Sequence, residues 1–314
     1  MTRQNRRVAP LRIVFAGSPA AAVPSLRALL ASPHEVVRVV TREDAPQGRK
    51  RVLTPTPVAE LAGEAGIPVV KANRLAPVAD QLASLEPDLG VVVAYGGLIR
   101  EPLLSAPRLG WINLHFSLLP RWRGAAPVQR AIMAGDQETG IAVFQLVPEL
   151  DAGPVFAVET HGIGRRQTAG HLLDVLAEAG AGVLTRVVDE LAAGTAQAVP
   201  QEGEPTAAPK LTIADGEIDW TAGAGAVDAR IRGVTPEPGA FTTVAGERFK
   251  IHAAAIAHDA PALPPGRIEE RGGRILAGTG SVPLELERVQ PAGRREMAAL
   301  DWWRGRDGVP VDAG

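Results

Sequence analysis

Asn113 and His115 stand two residues apart at the end of an apolar run, in the stretch NLHFSLLPRWRGAAP (residues 113–127), and Asp151 follows in ELDAGPV. In a strand, residues i and i+2 project from the same face. An amide and an imidazole would therefore point together from the C-terminal end of a strand, where open α/β sheets bind ligands. A carboxylate near that imidazole would orient it and raise its pKa by favouring the imidazolium. Asn, His and Asp together suit acyl transfer without a covalent enzyme intermediate. Donors hold the growing oxyanion while the carboxylate manages protons. Plainer readings stand beside this one. His115 could be a satisfied interior histidine, Asn113 a turn former, and Asp151 an ordinary turn residue ahead of Gly153.

Other chemistries are excluded or weakened. The 314 residues contain no cysteine, which removes thiolate nucleophiles, disulfides, cysteine-bound zinc and iron–sulfur clusters. Nothing in the Asn, His and Asp set demands a metal. The glycine-bearing turn FAGSPAAAVP has Pro19 where a dinucleotide fingerprint needs its second Gly, so NAD binding by that route is not expected. A net charge of −2 gives no global basic signature, so any nucleic acid must meet a local patch. One such patch is TREDAPQGRKRVLTPTP, a long connection carrying Arg42, Arg49, Lys50 and Arg51, which is also readable as a solvated surface loop.

The elements that must position these residues alternate. LRIVFAG, EVVRVVT, IPVVKA, LGVVVAY and GWINLHF read as apolar strands, with helices in VPSLRALLAS, PTPVAELAGEAG and VADQLASLEPD and from about 125 to 134. Continuous apolar strands alternating with helices predict an α/β, mostly parallel, doubly wound sheet. Two further strands, TGIAVFQLV and GPVFAVETHGI, flank Asp151, and residues 168–194 form the best helix, with Thr168 to cap it and Gly194 to end it. A polar, proline-rich stretch at 195–209 reads as a linker between a catalytic domain (1–194) and a C-terminal domain (210–314). Beyond it, short strands with glycine turns predict a small β-barrel. The Arg-preceded run near the start reads as a first core strand, not a signal peptide. No stretch approaches the ~20 apolar residues of a membrane span. A cytoplasmic location is expected.

Over nearly its whole length the chain resembles the methionyl-tRNA formyltransferase family. RIVFAGSP and VVVAYGGLI are similar to its opening and central strands. RLGWINLHFSLLPRWRGAAPVQRAIMAGDQETG is similar to its signature, and ELDAGPV, GEIDW, TPEPGAF and QPAGRREM follow in the family's order. The resemblance implies a Rossmann-like formyltransferase domain followed by a C-terminal OB-type barrel, with Asn113, His115 and Asp151 as catalytic residues. It implies 10-formyltetrahydrofolate as co-substrate, no metal and no membrane, initiator methionyl-tRNA as acceptor, and a monomer. The folate is expected against the backbone around Tyr95 and Gly96 and the loop Ser117, Leu118, Leu119 and Pro120. The basic loop with Arg42, Arg49, Lys50 and Arg51 is expected to enter the tRNA acceptor end. Phe116, Ala142, Val147 and Pro148 depart from the family's usual residues without touching the triad. A sugar-nucleotide formyltransferase using the same donor is the alternative, and a binding module without catalysis is a third reading that the triad disfavours.

Overall fold

The run RIVFAG becomes β1 (Arg12–Gly17), buried along all but its first residue. Burial on both faces is what a helix-covered parallel sheet demands of a strand. The structure is a computed structural model, and it describes residues 9–48, 51–306 and 309–314. After β1 come α1 (Val23–Leu30), β2 (Glu35–Thr41), β3 (Ala45–Gln47) and β4 (Val52–Thr54). They lead into α2 (Pro57–Glu64), β5 (Val69–Lys71), α3 (Ala79–Ala83), β6 (Leu89–Val93) and β7 (Trp111–His115). Then follow β8 (Arg123–Gly124), α4 (Pro127–Met133), β9 (Glu138–Gln145), β10 (Val155–Gly162), α5 (Ala169–Ala193) and β11 (Ala207–Ala208).

The main sheet runs β10-β9-β7-β6-β1-β2-β5. Pairing is parallel from β5 through β2, β1 and β6 to β7, and antiparallel between β7 and β9. The chain lays β2 and β5 on one side of β1, then returns to lay β6 and β7 on the other. Strand order therefore reverses between β1 and β6, which opens a crevice at the carboxyl ends of the strands. The expected capped helix is α5. Thr168 Oγ1 accepts from the His171 N–H at 3.4 Å, and Gly194 ends the helix at φ +68°. Among the described residues, no helix is long and apolar enough to cross a membrane.

Contacts divide the chain into two units, one of residues 1–125, 140–161 and 173–208, the other of residues 126–139, 162–172 and 209–314. The stretch 195–209, expected as a linker, lies within the first unit as far as residue 208. Val199 exchanges both backbone hydrogen bonds with Val155, and β11 pairs in parallel with β8. The composition is linker-like, but Gln201 and Thr206 bond by their side chains to residues far off in sequence.

The second unit adds α6 (Ala224–Gly233), β12 (Ala240–Val244), β13 (Glu247–Ile256), β14 (Arg267–Arg271) and β15 (Arg274–Ala277). It ends with β16 (Leu284–Pro291), β17 (Met297–Ala298), α7 (Ala299–Arg304) and β18 (Val311–Asp312). Its sheet is antiparallel, ordered β12-β13-β16-β15-β14-β18, with β17 beside β16. The sheet is consistent with the barrel expected from the glycine-punctuated strands without closing as one: an isolated bridge joins Val244 to Ala313, flanked by hydrogen bonds between Thr243 and Gly314 in both directions. Inside, Phe249 lies 4.5 Å from Trp302, centroid to centroid, within a core of Trp220, Ile251, Ile268 and Leu286.

Candidate active site

Asn113 and His115 end β7 on the same face, as the i, i+2 spacing requires. In the sheet, Asn113 pairs with Val92 of β6 and Phe144 of β9, and His115 pairs with Ala142. Both residues thus sit at the carboxyl edge, on the β6 side of the reversal. His115 is 5% exposed, with the ring of Phe144 standing edge-on at 6.3 Å. Its Nε2 lies 2.9 Å from the Trp122 carbonyl oxygen. A carbonyl only accepts, so that nitrogen carries the hydrogen and a neutral ring keeps its lone pair on Nδ1. Asn113 Oδ1 is buried and accepts no hydrogen bond. Leaving such an oxygen unpaired costs about 1–3 kcal/mol.

Asp151 comes from the turn between β9 and β10. Its Oδ2 accepts the Gly124 N–H at 2.8 Å, so the carboxylate is anchored by backbone and not by the imidazole. It still acts on His115 through its charge, which raises the imidazole pKa, as does the Trp122 carbonyl. That upward pull is what the sequence argument expects of a carboxylate nearby. The net shift is downward, because burial of the ring outweighs both neighbours and leaves His115 below its ordinary value of 6.5. His115 is therefore neutral at rest, with two groups that favour its charged form. Histidine NMR titration should find it neutral at pH 6.5 and protonating only below. In Asp151→Asn its pKa should fall further, because one of the two upward influences is gone. An upward move in that variant would contradict the assignment.

Several backbone positions here are left-handed: Trp122 at φ +65°, Gly124 at φ +129° and Asp151 at φ +47°. For a residue with a side chain this costs about 1–2 kcal/mol, which surrounding contacts must offset. At Gly124 no other residue fits, since a Cβ would lie 2.6 Å from the Ala208 carbonyl oxygen. Gly153 is fixed by space instead. A Cβ there would stand 1.7 Å from the Gln145 carbonyl oxygen, so the Asp-Ala-Gly turn can approach β9 only without a side chain.

The expected folate segments are built turns. Ser117 Oγ donates to the Arg121 carbonyl at 2.6 Å and the Arg121 N–H donates to Leu118, closing the loop through Leu119 and Pro120. Leu118 also packs over Gly140. The Tyr95 side chain points into the core, its hydroxyl donating to the Ala72 carbonyl at 2.5 Å, and burial pushes its pKa up. Arg42 was expected to meet tRNA. Its guanidinium instead donates to the Tyr95 and Gly96 carbonyl oxygens at 3.2 and 3.1 Å. Arg42 thus clamps the turn at the end of β6. Arg51 is exposed at the turn of the β3–β4 hairpin, at φ +49°, whereas Arg49 and Lys50 lie outside the described residues. Phe116 and Ala142 are buried. Among the described residues, no group of three or more His, Asp or Glu could hold a metal ion.

Sequence reasoning missed Gln201 and Thr206. Thr206 Oγ1 accepts the Trp122 N–H at 2.9 Å, and the Thr206 carbonyl accepts from Arg123 at 2.8 Å. Gln201 reaches both the Asp151 turn and Arg123. No spacing rule could have found them, because their partners lie roughly fifty to eighty residues away.

Two family models match the chain: formyl transferase over residues 11–188, and the formyl transferase C-terminal domain over residues 210–307. The chain is 63% identical over 302 residues to the methionyl-tRNA formyltransferase of Leifsonia xyli subsp. xyli, covering 96% of this chain and 99% of the relative. It is 62% identical over 296 residues to that of Clavibacter sepedonicus, covering 94% and 97%. Among solved structures it is similar to an N-formyltransferase from Helicobacter canadensis determined with folinic acid and dTDP-3-aminofucose. The TM-score is 0.68 at 15% identity, covering 90% of this chain and 99% of that one, a likeness of fold alone. Two domain models in the right order and identities above 60% over nearly the whole length leave one conclusion, that the chain belongs to the methionyl-tRNA formyltransferase family.

Proposed function

We propose that this chain transfers the formyl group of 10-formyltetrahydrofolate to the α-amino group of methionine on initiator tRNA, releasing tetrahydrofolate and N-formylmethionyl-tRNA. The observation that carries the chemistry is the unsatisfied amide of Asn113 beside a neutral, buried His115. The attacking amine must be neutral, and a free α-amino group titrates at roughly 7.7–8.0. As it adds to the formyl carbon, negative charge grows on the formyl oxygen. Asn113 Nδ2 donates to that oxygen, while Oδ1 accepts an N–H of the amine, the partner it otherwise lacks. His115 takes up a proton and, as imidazolium, donates to the same oxygen. Asp151 and the Trp122 carbonyl stabilise that charge only once it forms. Collapse expels the folate N10, which receives the proton the amine gave up, through His115, Asp151 or water.

The pterin is assigned to the backbone of residues 91–98 and the loop 117–120. Both segments are tied down by their own hydrogen bonds, and a preformed polar edge suits a flat heterocycle. The β3–β4 hairpin and the barrel are assigned to the acceptor end and stem of the tRNA. The chain is taken to work as a monomer in the cytoplasm. The sugar-nucleotide reading leans on structures about 15% identical, which carry fold and no substrate.

The test is incubation with formyl-folate and charged initiator tRNA, beside methionine charged on an elongator tRNA and beside an amino-sugar nucleotide. Formylation of initiator methionyl-tRNA in clear preference to both is expected. Transfer to the sugar alone would overturn the acceptor.

A further inference from the structure

Three consecutive residues, Trp122, Arg123 and Gly124, each hold one part of the site. The Trp122 carbonyl accepts from His115, and the Gly124 N–H donates to Asp151 Oδ2. Between them, Arg123 donates from Nη2 and Nε to Gln201 Oε1 at 2.6 and 3.1 Å. Gln201 then donates from Nε2 to the backbone carbonyls of Asp151 and Gly153, at 2.8 and 2.9 Å. One amide thus uses both its ends to join the loop that carries the His115 partner to the turn that carries the carboxylate. The turn needs such a hold, because Asp151 sits at φ +47° and its carboxylate is anchored by the Gly124 N–H. The segment that brings Gln201 is itself fixed two residues earlier, by the paired hydrogen bonds of Val199 and Val155.

We propose that Gln201 is a positioning residue for formyl transfer, which keeps the Asp151 carboxylate at a working distance from His115 by clasping the 151–153 turn to Arg123. The proposal rests on the catalytic reading of Asp151 given above. Both ends of the Gln201 amide are taken up by Arg123 and the 151–153 turn, so its loss acts on turnover and not on binding. A misplacement of about 1 Å in a catalytic group can cost on the order of 10²-fold in rate.

The test is a double-mutant cycle read by single-turnover formylation, with Gln201→Ala, Gln201→Glu and Asp151→Asn. Gln201→Glu keeps the acceptor for Arg123 and loses both donors to the turn, in nearly the same shape, so it covers the case in which the alanine variant folds poorly. Either Gln201 variant should lower kcat by about 10- to 100-fold, with KM for folate and tRNA changed less than about threefold. In each, the histidine titration should move His115 downward, towards its value in Asp151→Asn, because the carboxylate has drifted away. In the Asp151→Asn background the Gln201 change should cost almost nothing further. An unchanged kcat, or the same loss with and without Asp151, would overturn the proposal. Near-normal turnover of Asp151→Asn by itself would instead remove the catalytic role of the carboxylate, and is read separately from the Gln201 variants.

Discussion

Asp151→Asn and His115→Ala should each lower kcat by on the order of 10²–10³, with folate binding largely kept. Asparagine at 151 can still accept the Gly124 N–H through its side-chain oxygen, so the turn keeps its anchor and loses only its charge. What disappears is the field that stabilises imidazolium at His115, where burial already opposes that charge. The variant therefore has a normal ground state and a costly transition state, which appears as a fall in kcat with KM nearly unchanged. His115→Ala removes the oxyanion donor itself. It also leaves the Trp122 carbonyl without its partner, so a thermal melt should accompany the kinetics. Near-normal turnover in either variant would sink the mechanism.

Replacing Arg49, Lys50 and Arg51 together by alanine should weaken use of methionyl-tRNA far more than use of folate. Of the three, Arg51 is exposed at the end of the β3–β4 connection, with Val52 and Leu53 exposed beside it. If each cation meets one phosphate, the slope of log K against log salt falls by roughly one per cation. Between 50 and 200 mM salt the advantage of the wild type should then shrink by roughly one and a half orders of magnitude. Opening a weak first base pair costs less than opening a strong one, so a hairpin entering the acceptor end selects by deformation energy. Equal activity of both proteins on initiator tRNA at low salt would rule the hairpin out. Arg42 is not part of this test, because its guanidinium serves the Tyr95–Gly96 turn.

What the sequence disclosed depended on how local the cause was. The apolar runs of β1 and β7, the same-face spacing of Asn113 and His115, and the capped length of α5 are written within a few residues each, and the structure follows them. The hairpin inside residues 45–54 was less legible. Pro46 weakens a strand reading, and its three-residue strands fall below any periodicity. Gln201 and Thr206 were illegible, because a polar, proline-rich stretch looks the same whether it floats or binds. The net direction of the His115 pKa shift is illegible for a related reason. A charge can be inferred from a neighbouring Asp, but desolvation depends on everything packed around the ring.

The bridge from Val244 to Ala313 also governs how the second unit behaves towards other copies of itself. An open sheet offers a row of unpaired N–H and C=O groups at each side, a template for a foreign strand. Here β12 and the stretch after β18 answer each other, and Ala313 donates to Gly266 as well. Residues 311–314 make this pairing, and Val311 and Ala313 also pack against the apolar core. Ending the chain at residue 310 is expected to bare the β12 edge and to remove two side chains from the core's rim, so size-exclusion chromatography should show association and a thermal melt a lower midpoint.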